Sequence, residues 1–348
     1  MTIQEEWEYI DSETQQARSV DILVGASVSS FTLQDLKPSQ VPLFSYLNLV
    51  IECKQSDNPY IFFLRDSPPE DAPAFPEMLG PIKEKIEIFQ RKENGEISEQ
   101  ATILGVRDVL GFYEFDYVLP ALPYAVSLAK ALRSKSKVEV TGEETYRALT
   151  YPLLKAVDHL KGTIESRTQT SWMERFVIAV AVVRAPMVGS TFSQSGEQRL
   201  ISLPWVRVSR LEPTGNTINR EGPTNSVRYY DVVHESYLDT YVDLLAEALN
   251  GIAKRVMKHS SELRSGAGSS ASLVQSYRSL EELPEAFESS DKKMPTYMNS
   301  TYPGVDLENF LQCEVDSVNG AKFIDWAFPT LRSASPTFEH KDLKMEKP

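Results

Sequence analysis

The stretch Tyr46-Leu-Asn-Leu-Val-Ile-Glu-Cys-Lys-Gln55 is an apolar run that becomes charged near its end. Because the side chains of a strand alternate between two faces, Glu52 and Lys54 are predicted to point to one side. Cys53 is predicted to point to the other side and to pack in the core as a small apolar residue. A carboxylate and an ammonium group at the end of a buried strand are costly unless they pair or bind a ligand. This strand therefore carries the first candidate for a functional site.

A second isolated charge, Asp21, lies in the preceding apolar strand (residues 18–28), which is predicted to form a hairpin with residues 3–10. If this strand lies beside the one above, Asp21 approaches Glu52, and two carboxylates make a hard-oxygen site suited to Mg²⁺ or Mn²⁺. Lys54 could then orient or deprotonate a water and offset phosphate charge. These groups form a minimal set for metal-assisted phosphodiester hydrolysis.

The sequence around these strands predicts an α/β fold with a mixed central β-sheet flanked by helices. Short apolar runs predict further strands over residues 60–64, 175–185, 200–208 and 227–233. Apolar residues at helical spacing predict helices over residues 78–90, 117–132, 141–164 and 235–257. The β-branched run at residues 175–185 is typical of a central strand that is covered on both faces.

The domain organisation follows from a change of composition late in the chain. Residues 1–260 are predicted to form one domain, and residues 261–348 a linker and a polar, partly disordered tail. Residues 265–272 are rich in Gly, Ser and Ala, as flexible linkers are. The sequence that follows is polar, is interrupted by prolines and has no clear period.

Composition excludes several classes of protein. The 348 residues carry a formal net charge of −13, which argues against strong non-specific DNA binding by the chain alone. No Walker-type loop, Gly-rich dinucleotide turn or nucleophile elbow occurs. The sequence contains no run of 18 apolar residues, so no membrane span is predicted, and the N-terminus lacks the features of a signal peptide. Two distant cysteines suggest neither a disulfide framework nor a zinc site, so a cytoplasmic protein is expected.

An aspartate strand followed by an apolar strand that ends in the Glu-Cys-Lys of residues 52–54 resembles the PD-(D/E)XK nuclease superfamily. More specifically, the chain resembles restriction-endonuclease-like members, in which a Trp/Tyr hairpin, here residues 7–11, leads into the strand of Asp21. The lysine strand then runs into a Pro-aromatic segment, here residues 59–63. The resemblance could cover residues 3–258, although its specific motifs lie within the first part of that range.

The resemblance implies a restriction-endonuclease-like fold and a Mg²⁺-dependent deoxyribonuclease, with Mn²⁺ as the other suitable ion. Asp21 and Glu52 would ligate the metal, the backbone carbonyl of Cys53 would assist, and Lys54 would position the attacking water. DNA would be the substrate, in a restriction, defence or repair setting, and a protein partner could supply affinity for DNA. The helix of residues 141–164 and the strand after it would complete the core.

Two alternatives remain open. A catalytically silent nuclease-like scaffold or nucleic-acid-binding subunit is favoured by the net acidity and by two departures from the family. The superfamily core usually begins with a helix that often contributes another acid, and many relatives carry an acid at the position of Ser19. An unrelated α/β protein is the other alternative, because Glu-x-Lys patterns also arise by chance, as at Glu339-His-Lys341. Only the Glu52 match ends a strand that is predicted to be buried.

Four neighbouring residues have an ordinary structural interpretation. Trp7 and Tyr9 could stack on a base, although packing within the hairpin is more common for such residues. Lys155 and His159 lie on the helix of residues 141–164, where relatives sometimes place a polar helper. Long charged side chains are mostly exposed, so both are predicted to be surface residues.

Overall fold

The computed structural model describes residues 1–28, 43–65, 75–91, 97–112, 115, 123–134, 137–165, 173–192, 198–213 and 225–269. These residues form a large mixed sheet, a small second sheet and a few helices. The first three strands are β1 (Thr2–Ile10), β2 (Ala17–Ser27) and β3 (Phe44–Gln55), and they pair antiparallel in chain order. The predicted hairpin and the predicted apolar strand after it are confirmed.

Further strands follow along the chain as β4 (Tyr60–Leu64), β5 (Glu77–Leu79), β6 (Lys85–Arg91), β7 (Ile97–Gly105), β8 (Tyr124–Ser134) and β9 (Lys137–Thr141). The later strands are β10 (Met173–Arg184), β11 (Met187–Phe192), β12 (Gln198–Ser202), β13 (Trp205–Pro213), β14 (Asn225–His234) and β15 (Ala267–Ser269). The large sheet has twelve strands, with the order β1-β2-β3-β10-β14-β13-β8-β4-β11-β12; β5 also pairs with β10, and β9 with β8. The order β15-β6-β7 forms the small sheet.

Strand β10 lies at the centre, as its continuous β-branched run predicted. It pairs in parallel with β3 from Met173 opposite Phe44 to Arg184 opposite Gln55, and in parallel with β14 on its other side. Its residues 176–181 are all buried. A strand that is hydrogen-bonded on both edges and covered on both faces is apolar throughout, which accounts for its sequence.

Helices cover both faces of the large sheet. On one face, helix α3 (Tyr151–Glu165) continues from α2 (Glu143–Thr145) through a π-helical turn (Tyr146–Thr150). Its side chains form an apolar layer with Val50 and Val177. On the other face, helix α4 (Leu238–Lys258) packs with Leu49 and Ile178. The predicted arrangement of a mixed sheet flanked by helices is confirmed, and the sheet dominates.

Two predicted helices are strands. Residues 78–90 form β5 and β6, which are separated by Pro81; within β6, Ile86 and Ile88 are both buried, which is the alternation of a strand. The described part of residues 117–132 begins at residue 123 and belongs to β8, which pairs with β4, β9 and β13. Pairing with neighbouring strands overrides the local helical preference of these segments.

Two smaller boundaries also differ from the predictions. The strand expected over residues 200–208 is the end of β12 and the beginning of β13, separated by a break at Leu203–Pro204. The folded part continues past residue 260 through helix α5 (Ser260–Ser265) and β15, so the predicted linker begins inside it. Leu263 of α5 is fully buried against the α4 layer. Residues 270–348, which hold the rest of the predicted tail, lie outside the described residues.

A short helix, α1 (Val106–Val109), follows β7, and one 3₁₀ turn (Glu235–Tyr237) leads into α4. Across the described ranges, none of the helices has both the length and the apolar character that a membrane crossing requires.

Candidate metal and catalytic site

The two strands that carry the candidate residues are neighbours, as the sequence predicted. In the β2–β3 pair, Ile22 lies opposite Ile51, and continuing this antiparallel register by one residue places Asp21 level with Glu52. The carboxylate of Asp21 accepts a hydrogen bond of 2.6 Å from the backbone N–H of Cys53. The structure therefore brings Asp21 to the same end of β3 as the Glu-Cys-Lys motif.

The strand pair β1–β2 is irregular at Asp21. The same register holds from Thr2 to Ile10, but within it the pair that would join Glu6 and Asp21 is missing. Glu6 has a φ of 49°. Val20 and Leu23 both belong to the apolar layer around α3, although regular alternation would send residues three apart to opposite faces. The local shift in alternation accompanies the turn of the Asp21 carboxylate toward the backbone of β3.

Glu52 and Lys54 point to the same side of β3, as predicted, and form an ion pair. Glu52 follows Val50 on the face that α3 covers, and only 8% of its side chain is exposed, against 32% for Lys54. Lys54 bonds to Oε1 of Glu52, whereas Oε2 is buried and accepts no hydrogen bond. A buried carboxylate oxygen without a donor is unfavourable, so this atom marks a place where a cation or a donor can bind favourably.

The electrostatic surroundings of the site favour protonation. Burial raises the pKa of the Glu52 carboxyl, and the negative charge of Asp21 raises it further, whereas the hydrogen bond and charge of Lys54 and the backbone N–H of Asp21 oppose the shift. Desolvation of its sulfur, together with the charges of Asp21 and Glu52, also raises the pKa of the Cys53 thiol, which therefore stays protonated at neutral pH. A divalent cation would lower the cost of carrying two negative carboxylates at this place.

The residues present fit a site for one divalent cation with two carboxylate ligands. Mg²⁺ is commonly held by one or two carboxylates and keeps several waters, so Asp21 and Glu52 suffice as protein ligands, together with the Cys53 carbonyl that the resemblance implies. In the part of the chain that the structure describes, no three His, Cys, Asp or Glu side chains gather into a larger metal-binding group. The buried, unbonded Oε2 of Glu52 is the feature that fits a cation best.

Two predictions about side chains near the site are wrong. Cys53 is exposed and not in the core, because Ile51 still packs on the α4 layer and Cys53 lies past the edge of that layer. Lys155 is buried and not on the surface, because its stem lies along the packed face of α3 and its ammonium pairs with Glu13 in the β1–β2 turn. His159 is partly exposed, and its Nδ1 lies 3.2 Å from the carbonyl oxygen of Ile10.

Trp7 and Tyr9 pack as hairpin residues, as expected. Tyr9 is buried, and its hydroxyl donates to the carbonyl of Pro152 in α3 over 2.9 Å. The two rings stack with centroids 5.6 Å apart, and the ring of His159 lies 5.7 Å from that of Trp7. Burial raises the pKa of Tyr9, although the charge of Arg18 opposes this, and the nearby charge of Glu52 adds to the increase.

The sequence did not reveal the polar cluster that joins the β1–β2 turn to α3. Asp11 accepts hydrogen bonds from Arg18 at 2.8 Å and from the hydroxyl of Tyr151 at 3.2 Å, while Lys155 pairs with Glu13. The only available signal was an acid and a base on the two sides of a short turn. The cluster holds α3 over the strands that carry Asp21 and Glu52.

No family model, curated protein or solved structure matches this chain.

Proposed function

We propose that this protein is a Mg²⁺-dependent nuclease that hydrolyses phosphodiester bonds of DNA. The observation that carries the proposal is the end of β3, where a buried Glu52 oxygen without a hydrogen bond lies beside Asp21 and Lys54. A carboxylate pair and an ammonium group are a minimal set of side chains suited to metal-assisted phosphodiester hydrolysis.

The order of the surrounding elements supports the proposal. The resemblance implies that the hairpin and the strands of Asp21 and Glu52 are completed by a later helix and a later strand of the core. In this chain β1, β2 and β3 pair antiparallel, α3 crosses the sheet, and β10 returns in parallel beside β3. In register, Ala181 and Val183 of β10 lie opposite Glu52 and Lys54. Both of these β10 side chains are apolar, so the polar side chains at this level of the β3–β10 pair are those of β3.

Each residue has a distinct role in the proposed reaction. Asp21 and Glu52 hold the cation, whose contribution is to activate a water and to neutralise charge on the phosphate. Lys54 is half-buried and lies beside Glu52, so its ammonium group can hold the water and the phosphate oxygens in place. The Cys53 thiol takes no part because it stays protonated, and only its backbone is used.

The test is cleavage of plasmid and of linear single- and double-stranded DNA with Mg²⁺, with Mn²⁺ and with EDTA. We expect metal-dependent cleavage that Lys54→Ala reduces at least about 100-fold, since groups that position a nucleophile commonly contribute that much. Lys130→Ala is the matched control, because Lys130 is another partly buried strand lysine of the same sheet and lies outside the site. Circular dichroism establishes that each variant is folded.

The outcomes separate an enzyme from other possibilities. Equal loss in Lys54→Ala and Lys130→Ala would contradict the assigned site, and cleavage that survives Lys54→Ala would show that the activity arises elsewhere. No cleavage by folded wild-type protein would favour a catalytically silent scaffold. One observation already favours this second candidate: Lys54 and the Cys53 N–H satisfy one oxygen each of the two carboxylates within the chain.

A further inference from the structure

Beside the proposed catalytic residues, an aromatic stack is built on the edge strand of the sheet. Trp7 stacks on Tyr9 with an interplanar angle of 23°, and His159 of α3 meets the edge of Trp7 at an angle of 63°. Tyr9 is buried and anchored to Pro152, whereas Trp7 is only partly buried at the rim of the apolar layer. Tyr9 and His159 therefore fix the orientation of an indole that is partly exposed to solvent.

The position of this stack relates it to the catalytic site. Trp7 lies opposite Val20, the residue directly before Asp21, and both belong to the layer on the face of the sheet that holds Glu52. β1 is separated from β3 by one strand, so the backbone at Trp7 lies about 10 Å from β3, two strand spacings of about 4.8 Å. A nucleotide next to a phosphate held at Glu52 can reach an aromatic surface at that distance.

The net charge of the protein bears on which contacts can contribute to the affinity for DNA. With a net charge of −13, attraction of phosphates contributes little to affinity, so contacts with bases must contribute more. An indole face offers stacking to a base of any sequence, but only a base outside a duplex exposes its own face. Next to Trp7 in the β1–β2 ladder, Glu8 is acidic, and the charge of Arg18, opposite Tyr9, is paired with Asp11, so neither adds much attraction for a phosphate backbone.

We propose that Trp7, held by Tyr9 and His159, is a stacking platform for an unpaired base next to the scissile phosphate, so that the preferred substrate is single-stranded DNA or a single-stranded segment. This inference rests on the proposed nuclease function, and it assigns Trp7 a substrate-binding role in addition to hairpin packing. The stack of Trp7 on Tyr9 preorders the indole, which lowers the entropy cost of binding a base.

Binding is measured without cleavage, in EDTA, with the full chain and a fluorescein-labelled oligo-dT, by fluorescence polarisation. We expect Trp7→Leu to weaken single-strand binding at least about fivefold, the fold-change equivalent to about 1 kcal/mol of stacking. Trp7→Phe should retain most of the affinity. Phe63→Leu is the matched control, because Phe63 is an exposed strand aromatic of the same sheet, and it should bind like wild type.

The salt dependence, a control variant and a comparison with cleavage complete the test. The ratio of wild-type to Trp7→Leu affinity should stay constant between about 50 and about 200 mM salt, since stacking releases no counterions. Equal affinity of wild type and Trp7→Leu, or no binding of the single strand by wild type, would overturn the platform. Lys130→Ala, which lies outside the site, should bind with wild-type affinity. Trp7-dependent binding together with absent cleavage would refute the catalytic proposal alone and would leave the platform standing.

Discussion

Two ion pairs in the same sheet differ in a way that separates structure from function. Arg207 of β13 and Asp231 of β14 are fully buried, and the guanidinium donates to both carboxylate oxygens at 2.8 and 2.9 Å. Tyr241 of α4 adds a third hydrogen bond of 2.7 Å to Asp231. Glu52 and Lys54 share a single hydrogen bond, and the remaining Glu52 oxygen is buried without one.

The difference lies in how completely each carboxylate is satisfied. The Asp231 carboxylate is surrounded by donors, and the guanidinium of Arg207 also lies 3.5 Å from the ring centroid of Phe75, so the pair is closed to ligands. The Glu52 carboxylate retains capacity for one more positive partner, and Lys54 reaches solvent. A closed pair fixes how the strands and α4 pack, whereas an open pair can exchange partners with a ligand. The predictions below test this distinction.

The largest effect is expected for the closed pair. Asp231→Ala should lower the free energy of unfolding by about 3–5 kcal/mol, because it leaves the charge of Arg207 buried without its partner. Urea denaturation followed by circular dichroism measures the change. Replacing both partners in Arg207→Met/Asp231→Leu should cost less than Asp231→Ala, since no unpaired charge remains.

The matched comparison is Asp158→Ala, which removes an acid that is partly exposed beside Arg228 and should cost less than Asp231→Ala. A loss in Asp231→Ala no larger than in Asp158→Ala would show that the closed pair does not stabilise the fold.

A third buried acid lies between these two extremes. Glu174 at the start of β10 accepts one hydrogen bond of 3.3 Å from the Ile82 N–H, and burial raises its pKa from 4.5 to about 8 although Arg107 opposes this. The folded protein therefore keeps a proton that the unfolded chain releases. The free energy of unfolding should fall as pH rises from about 4.5 to about 8 and then level off.

Glu174→Gln should remove this pH dependence and should be more stable than wild type above pH 8 by a few kcal/mol, the cost of burying the charge. Chemical denaturation across the pH range measures the difference. The control is Glu143→Gln, in which the exposed acid of an i,i+4 pair with Arg147 is neutralised and the wild-type pH profile should be retained. Parallel profiles for wild type and Glu174→Gln would contradict the assignment.

The smallest effect on stability is expected for the open pair. Glu52→Gln should change the free energy of unfolding by less than about 1 kcal/mol, because the neutral amide avoids the cost of a buried charge and Lys54 is exposed enough to be hydrated. The same variant should bind Mn²⁺ at least about tenfold more weakly, as measured by calorimetry, since removing a metal ligand weakens the site. A destabilisation comparable to that of Asp231→Ala would place Glu52 among the structural pairs.

The sequence predictions are correct where interactions within a short segment determine its conformation, and wrong where distant strands do. The strands at residues 44–55 and 173–184 were recognised because burial on both faces leaves a continuous apolar run that no neighbour needs to explain. Residues 78–90 were assigned to a helix because Leu79, Ile82, Ile86 and Phe89 fall at spacings of three and four, whereas the buried pair in β6, Ile86 and Ile88, has the period of two of a strand. Hydrogen bonds to distant strands chose between the two conformations, and those partners are not encoded locally.

The candidate site divides in the same way. Alternation along one strand placed Glu52 and Lys54 on a common face, and the isolated charge in the preceding apolar strand identified Asp21 as their neighbour. The exposure of Cys53 and the burial of Lys155 were missed, because each depends on where a helix layer ends and on which turn lies above it.

The sequence by itself determined the apolar strands, the mixed α/β class and the three residues of the candidate site, because these follow from alternation and charge within short segments. Only the tertiary structure decided that the sheet extends to twelve strands, that Asp21 turns to the Cys53 backbone, and that one oxygen of Glu52 is buried without a hydrogen bond. These features arise from strands and helices far apart in the chain, and whether a buried polar atom is satisfied depends on every group around it.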